Sequence, residues 1–418
     1  MKENFYFAFR QIKDKLWFRP VIFCLISILG ALLAQIADNT KLHELVPNIK
    51  TESITELLNI ISSSMLVIAT FTVGSMVSAF AAASNTATPR SFNLIITDDV
   101  SRNSLSAFIG SFIFSIVALV SVKNGYYGKA GLFTLFVMTL LFFSFVILTF
   151  LRWVERISRL GRMGHTIKLI EDATAQAIIK RLHAPTLQGI KIHDNFTSGM
   201  GVYCTDIGYI ITINMATLQE IAERHDAIFT INAIPGKFVT LDQPLLYIHF
   251  NKDGSSLSHQ DVLNCFTVSD TRHFEVDPRF GIITLSEIAS RALSPAVNDP
   301  GTAIQIISSH IRLFSLYNRS LKKEELQELI YNRIAVPELA ITDLFDDAFR
   351  PIARDGAANI EVMIRLQKAF QSISKIDHDE MLQVAMQHSW QAFARAEKAM
   401  THETDILELK KEINFKTN

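Results

Sequence analysis

A serine-rich apolar stretch, residues 62–90 ("SSSMLVIATFTVGSMVSAFAAASNTATPR"), decides the fold class of this chain. It lies in a run without charged residues, 57–89, which is 33 residues long. A helix rises about 1.5 Å per residue, so this run reaches roughly 50 Å, well beyond the roughly 30 Å hydrocarbon layer of a bilayer. Backbone groups in hydrocarbon must bond to one another, which favours helices. With three further charge-free runs (20–37, 103–122 and 130–151), the sequence predicts four transmembrane helices within a membrane domain of residues 1–165.

The second predicted span carries an amphipathic pattern. At 100° per residue, small and hydroxyl side chains share one side with two bulky ones. This predicted pore face consists of Ser64, Ile68, Phe71, Ser75, Ser78, Ala82 and Thr86. Such a stripe is typical of a water-filled path with a hydrophobic constriction. The alternative is helix packing, because Gly74, Ser78 and Ala82 recur at the spacing that lets membrane helices approach closely.

The charges divide unevenly along the chain. Lys and Arg total 40 and Asp and Glu total 41, yet residues 1–165 carry a net charge of +6 and residues 166–418 a net charge of -7. An apolar, basic first part excludes a single ordinary soluble enzyme domain. The chain also lacks the dense basic face of a nucleic-acid binder, so the predicted partner is the lipid bilayer.

Positive charges beside the spans predict the orientation. One side carries 11 Lys and Arg residues and the other carries 4. The positive-inside rule therefore places both termini and the whole C-terminal part in the cytoplasm, with the spans in the inner membrane. Trp17 and Trp153 lie at span ends on that side, where aromatic anchors are expected. The spans contain no ionisable side chain, which favours passive permeation or anchoring over active transport.

The C-terminal part has an α+β pattern. Residues 166–256 predict a cytoplasmic linker helix followed by short alternating strands such as "GYIITIN", "AIFTINAI" and "LLYIHF". These strands resemble the hairpins of biotinyl and lipoyl carrier domains, without the lysine-bearing turn, and predict a small β-barrel or sandwich. Residues 257–418 predict a helical domain.

The densest polar constellation lies between residues 275 and 302. Asp299-Pro300 predicts a helix cap followed by proline at the first helical position. The residues around it could form an ion-pair network or a small anionic-ligand pocket beside a helix N-terminus. The alternative is a capped helix-turn-helix. The candidate residues are Asp277, Glu287, Arg291, Ser294, Asn298, Asp299 and Thr302.

Catalytic signatures are absent from the sequence. It contains no Walker loop, nucleophile elbow or dinucleotide fingerprint. The 12 histidines are scattered and the 3 cysteines lie far apart, so neither a metal site nor a disulfide framework is predicted. The expectation is a protein without catalytic residues, cofactor or metal, and not an enzyme.

The motifs together resemble a bacterial family of predicted integral membrane proteins, domain of unknown function twenty-two fifty-four. The resemblance rests on "LWFRP" at the first span and "TPRSFNLIITDDVSRNSLSAFIGSF" after the second. It continues through "GYIITIN" and "PGKFV" to "DPRFGIITLSEIASRALSPAVNDPGTA", its most specific string. It covers nearly the whole chain and implies this architecture without supplying a reaction.

Two functions fit these observations. The first is a homo-oligomeric channel or passive transport protein, with the second span lining the path and a cytoplasmic regulatory domain. The second is a membrane-anchored scaffold or sensor that binds a ligand or protein and has no permeation path.

Overall fold

A computed structural model divides the chain into two compact units, Met1–Thr166 and Ile167–Asn418. The C-terminal unit includes both regions that the sequence predicted as separate domains after residue 165. The structure describes residues 17–39, 42–86, 88–91, 94, 99–159, 162–192, 199–251, 257–318, 328–376, 378, 380–413 and 415.

The N-terminal unit is helical. Short 3-10 helices at Ala34–Asn39 and Pro89–Ser91 and a single helical turn at Leu42–Leu45 connect its long helices. The long helices are α1 (Phe18–Leu33), α2 (Thr51–Thr86), α3 (Asp99–Lys123) and α4 (Lys129–Ile157). Four helices, α1 with its 3-10 extension and α2 to α4, are long and apolar enough to cross a membrane, which confirms the predicted spans.

Helix α3 is the centre of this unit. About 56% of its most apolar window is buried, compared with 28%, 28% and 22% for α1, α2 and α4. Small side chains permit this packing, because they let neighbouring backbones approach. At Gly110, an added Cβ would lie only 3.1 Å from Cβ of Phe23 in α1. Buried small residues of α3 include Ser104, Ala107, Ser111, Ser115 and Ala118.

Two contacts connect α1 and its 3-10 extension to the start of α4. The Asp38 carboxylate accepts hydrogen bonds from the backbone amides of Gly128 and Gly131, both at 2.7 Å. The Tyr127 hydroxyl donates to the carbonyl of Ala31 at 2.7 Å. Asp38 therefore satisfies two amides that the first turn of α4 leaves without helical partners.

Trp153 does not lie at the surface of the unit as an interfacial anchor would. Only 1% of its surface is exposed. Its ring lies between those of Phe71, Phe108 and Phe150, at centroid distances of 6.0, 6.4 and 5.9 Å. The correction has a simple cause, since aromatic packing against two neighbouring helices removes the large ring from the lipid-facing side. Trp17, in contrast, is exposed.

The C-terminal unit combines helices and strands. Its helices are α5 (Met163–His183), which begins just before the unit boundary, α6 (Met215–Arg224), α7 (His259–Leu263), α8 (Pro278–Ala292), α9 (Pro300–Phe314), α10 (Ile341–Asp355), α11 (Ile360–Ile373), α12 (Met381–Ala399) and α13 (Glu403–Lys411). A 3-10 helix, Ser315–Asn318, extends α9. Its strands are β1 (Gly189–Lys191), β2 (Met200–Tyr203), β3 (Gly208–Ile213), β4 (Ala227–Ile231), β5 (Phe238–Val239), β6 (Pro244–Phe250), β7 (Phe266–Ser269) and β8 (Tyr331–Val336).

The strands form two sheets and no closed barrel in the described part of the chain. One sheet has the order β1-β8-β4-β6-β2 and the other has the order β5-β3-β7. Both contribute to one apolar core, for example through Ile210 and Phe229. The predicted barrel is therefore corrected to two open sheets. The cause is that β3 and β4 belong to different sheets, and that β8, from much later in the chain, pairs in parallel with both β1 and β4.

The region after residue 257 is mainly helical, but it also supplies β7 and β8, which the sequence did not predict. Aromatic side chains fill its helical core. Phe314, Phe345, Phe349 and Phe370 make ring contacts with centroid distances between 4.8 and 6.5 Å. Helices α8 and α9 are connected by the N-D-P turn, which brings the candidate motif to one end of the pair.

Candidate functional site

The predicted pore face of α2 is left largely uncovered within the N-terminal unit. Ser64, Phe71, Ser78 and Ala82 are exposed, and Ile68 and Ser75 are half-buried. The side chain of Thr86 lies outside the described part of the chain. A different stripe of α2 packs against α3 and α4, and its members are Ile61, Met65, Ala69, Thr72, Met76 and Phe80.

The hydrogen bonding of hydroxyl groups differs between the sides of α2. Ser63 and Thr70 are exposed on another side, and their hydroxyls donate to the carbonyls of Asn59 and Leu66 within the helix at 2.8 and 2.9 Å. In the described part of the chain, the hydroxyls of Ser64, Ser75 and Ser78 make no hydrogen bond. A membrane hydroxyl commonly bonds to a carbonyl one turn earlier. Those on the predicted pore face are therefore available to water or to another molecule.

At Gly74, the first of the small residues spaced four apart, α2 does not pack closely against another described part of the chain. A Cβ added at Gly74 would meet no atom within 4 Å. Phe71 is 64% exposed, and its ring contacts that of Trp153 in an edge-to-face arrangement. The helix-packing interpretation thus has no support from contacts inside one chain around Gly74.

The exposed faces of the neighbouring spans have a different composition. In α1 and α4 the exposed large side chains are nearly all aliphatic, as expected for lipid contact. They include Leu25, Ile26, Leu29, Leu33, Leu141, Leu148 and Leu151. The predicted pore face carries three hydroxyls without a described hydrogen bond, but exposed surface is not confined to it, since α2 also exposes Leu66 and Val73 and α4 exposes Ser144.

The second candidate, the N-D-P turn, is a capped connection between α8 and α9. Oδ1 of Asp299 accepts from the Thr302 amide at 3.1 Å, and Oδ2 accepts from the Thr302 hydroxyl at 2.6 Å. Helix α9 begins at Pro300, which confirms the predicted cap and helix start. The Thr302 hydroxyl and amide bonds lower the pKa of Asp299.

The remaining turn residues shape the backbone. Asn298 has a φ of 50°, the left-handed conformation that asparagine tolerates better than most residues. Its amide donates to the Ser294 carbonyl at 2.9 Å, and the Ser294 hydroxyl donates to the Arg291 carbonyl at 2.7 Å. Glu287 is half-buried one turn before the exposed Arg291. These contacts support the interpretation as a capped helix-turn-helix.

Asp277 does not belong to this turn. It caps the opposite end of α8, where its Oδ1 accepts from the Phe280 amide at 3.3 Å. Arg291 follows it by 14 positions along the helix, which at 1.5 Å per residue is about 21 Å. The predicted network of Asp277 with Arg291 and Asp299 is therefore corrected: one helix holds the two groups at its two ends.

Asp277 lies instead in a buried cluster that the sequence did not reveal. Its Oδ2 accepts from Nε of Arg272 at 2.6 Å, and the Arg272 guanidinium lies 5.5 Å from the ring centres of Tyr209 and Phe280. Nearby, Arg279 bonds to Asp347 at 2.6 Å and also to Asp343. The available signal was the second Asp-Pro pair, Asp277-Pro278, which repeats the cap signature of Asp299-Pro300.

A buried serine–histidine pair lies in the helical core. Nε2 of His310 is 3.2 Å from Oγ of Ser286, and that hydroxyl donates to the Ala348 carbonyl at 2.9 Å. Burial lowers the pKa of His310 to about 3, so the ring is neutral. The serine proton is committed to a carbonyl, which gives the pair the chemistry of a core contact. In the described residues, no group of His, Cys, Asp and Glu could hold a metal.

The model of one protein family matches this chain over residues 13–372, and its description is "Predicted membrane protein (DUF2254)". The chain belongs to this family. The match begins in the N-terminal unit and ends within the C-terminal unit, and the resemblance seen in the motifs is confirmed. No curated protein and no solved structure matches the chain. The family description and the four candidate spans in the described residues identify the chain as a membrane protein. The description names no activity.

Proposed function

We propose that this family member is a homo-oligomeric channel or passive transport protein. In this proposal the predicted pore face of α2 lines the path, and the C-terminal unit regulates it. The observation that carries the proposal is the set of unbonded hydroxyls of Ser64, Ser75 and Ser78 on an uncovered face of a membrane helix.

The energetic argument concerns these hydroxyls. A hydroxyl in hydrocarbon without a hydrogen-bond partner costs several kcal/mol by transfer scales, roughly 2–7 kcal/mol. Ser63 and Thr70 avoid this cost by bonding to their own helix. Contact with water would satisfy Ser64, Ser75 and Ser78. Phe71, on the same face, then narrows the wet path at a single level.

The proposed path requires a homo-oligomer. One exposed helical face cannot enclose a lumen, so several copies must place the same face around an axis. Closed cyclic symmetry is the usual arrangement of identical subunits. Size-exclusion chromatography in detergent with mass detection should therefore give a mass of three or more chains of 47.0 kDa each. A monomer would contradict the proposal.

Cysteine accessibility tests the path directly. Ser64→Cys, Ser75→Cys and Ser78→Cys should react in membranes with a small charged thiol reagent, because each faces water. The background carries Cys24→Ser, and the buried Cys204 and Cys265 report on folding by staying unreactive.

Ser63→Cys and Thr70→Cys are matched controls, since both sites are exposed hydroxyl positions on another side of α2. They should remain unmodified in lipid. Equal reactivity on both sides, or none on either, contradicts the proposed path. Phe71→Ala should increase solute leak through reconstituted vesicles, whereas Leu66→Ala, at an exposed position of α2 outside the predicted pore face, should not.

A membrane-anchored scaffold is the second candidate. It is favoured by an exposed apolar stripe on α12, where Trp390 is 54% and Leu382 is 37% exposed. Large apolar groups at a surface commonly mark contacts with other proteins. Protected cysteines at Ser64, Ser75 and Ser78 together with a monomeric mass would favour this function.

A further inference from the structure

Arg181, near the end of α5, is a buried cation without a hydrogen-bonded partner. Only 7% of its surface is exposed, and its Nη1 is buried without a hydrogen bond. In the described part of the chain, no hydrogen bond or ion pair involves any of its nitrogens. Burial lowers its pKa, while Asp277 and Tyr317 oppose that effect. An arginine remains charged at neutral pH despite such lowering.

The position of Arg181 brings it toward the first turn of α8. Thr174 lies two turns earlier on the same side of α5 and contacts α8 closely. A Cβ added at Gly281 would lie 1.8 Å from its Oγ1. The contact at Gly281 packs α5 against the first turn of α8, and the electrostatic interaction of Arg181 with Asp277, the N-cap residue of α8, puts its charge near that end of the helix.

At the same end of α8, Arg272 provides a second guanidinium whose N–H donors are only partly hydrogen-bonded among the described residues. It bonds to Asp277 through Nε, and no described hydrogen bond uses its two Nη groups. The Tyr317 hydroxyl likewise makes no hydrogen bond in the described residues. Burial raises the pKa of this phenol and Arg181 partly opposes the rise, so the hydroxyl keeps its proton and can donate.

The charges of this cluster do not balance. Arg279 bonds to both Asp343 and Asp347, which compensate it. Lys237 donates to the backbone carbonyl of Asn232 and interacts electrostatically with Asp343. Arg272 also interacts electrostatically with Asp347, and Arg279 with Asp277. In total, four cations (Arg181, Lys237, Arg272 and Arg279) face three carboxylates (Asp277, Asp343 and Asp347). A buried cation without its own counter-charge is unfavourable, and a bound anion would remove the imbalance.

We propose that Arg181, Arg272 and Tyr317, beside the N-terminus of α8, form a binding site for a small phosphate-class oxyanion. Guanidinium groups bind such anions through pairs of N–H donors, and the helix terminus adds a favourable dipole. Asp277 keeps its bonds to Arg272 Nε and the Phe280 amide and holds the arginine in place. The site does not depend on the proposed function, because it concerns binding in the C-terminal unit whether or not a solute permeates.

Thermal unfolding of the purified full-length protein in detergent tests this site. Inorganic phosphate, titrated at constant ionic strength, should raise the melting temperature in a saturable manner, because a ligand that binds only the folded state stabilises it. ADP in a parallel titration distinguishes a free anion from the phosphate end of a nucleotide. A saturable effect of either supports the site, and chloride should produce none.

Arg181→Met should abolish the effect of phosphate. Without phosphate this variant should unfold at the same or a higher temperature than the wild type, because it removes an uncompensated buried charge. Arg181→Lys covers the case in which the methionine variant fails to fold. It keeps the charge but loses the paired donors, so the apparent affinity should fall about tenfold or more.

Arg333→Met is the matched control, because its guanidinium already pairs with Asp226 at 3.1 Å. The phosphate effect should persist in this variant. The proposal is overturned if neither phosphate nor ADP stabilises the wild type saturably. It is equally overturned if the Arg181 variants respond as the wild type does. Permeation assays play no part in either outcome, so failure here is separate from failure of the proposed path.

Discussion

At the scale of single residues, the two carboxylate oxygens of Asp299 accept from different groups of Thr302. Asp299→Ala should lower the free energy of unfolding by about 0.5–2 kcal/mol, because it exposes amides of α9 without a cap. Asp299→Asn keeps an acceptor oxygen and should cost far less. Denaturant unfolding of the purified protein measures both. If Asp299→Ala is as stable as the wild type, the cap contributes nothing and the helix start needs revision.

His310 predicts a dependence of stability on pH. Its pKa is about 3 in the folded chain, against 6.5 without burial. Between these values the unfolded chain binds a proton that the folded chain does not, so the free energy of unfolding falls as pH falls from 6.5 toward 3. By pH 5 the loss from this residue is at most about 2 kcal/mol.

The slope of melting temperature against pH between 6.5 and 5 measures this effect. His310→Gln should flatten the slope, whereas His402→Gln, at an exposed histidine, should leave it unchanged. An unchanged slope in His310→Gln would show that the ring is accessible to protons. His388 is also buried, and burial lowers its pKa in the same direction, so part of the slope should remain.

At the scale of elements, Asp38 controls how α4 begins. Asp38→Ala removes the acceptor for the amides of Gly128 and Gly131, so the first turn of α4 should fray. The expected cost is about 0.5–2 kcal/mol, the range for loss of a cap. Hydrogen exchange should accelerate in a peptide covering residues 126–132.

Asp38→Asn tests the same contact with a side chain that keeps one acceptor oxygen, and it should accelerate exchange less. The corresponding peptide at the start of α3 serves as the internal reference, because no contact of Asp38 reaches it among the described hydrogen bonds. Equal exchange in wild type and Asp38→Ala would contradict the cap.

Sequence patterns predicted those structural features that depend on a single helix. Length and hydropathy were enough to find four spans, but the wheel of α2 did not single out the packed stripe that contains Met65, because Leu66, Val73 and Val77 are exposed as well. The sequence did not identify α3 as the centre, because its serines and Gly110 are buried through contacts supplied by other helices. Hydropathy of one segment carries no information about its neighbours.

The candidate sites show the same division. The cap at Asp299 could be predicted, since its partners lie three residues away. Asp277 was found but assigned to the wrong end of α8, because proximity in sequence across a helix does not imply proximity in space. Arg181 and Arg272 were missed. The relation of Arg181 to Asp277 depends on α5 packing against α8, for which no local pattern exists, whereas Arg272 lies only five residues before Asp277.

At the scale of the whole molecule, the distribution of positive charge predicts the topology. A reporter fused after Asn418 should be active as a cytoplasmic fusion, and one inserted within 124–128 should be active only outside the cytoplasm. Paired reporters that require opposite compartments check this in cells. An extracytoplasmic C-terminus would reverse the orientation and place the C-terminal unit on the other side of the membrane.

The late position of β8 in the sequence delays completion of the five-stranded sheet while the chain is being synthesised. Strand β8 pairs with β1, whose partner Gly189 precedes Tyr331 by 142 residues, and it is the strand that joins β1 to β4. At about 5–20 residues per second, a ribosome needs roughly 7–28 s to cover that interval. During this time β1 has no neighbour, and β4, once it has been made, has one unpaired edge. A newborn chain therefore carries an open sheet edge long after its four spans have been made, and nascent-chain chaperones have that interval in which to protect it.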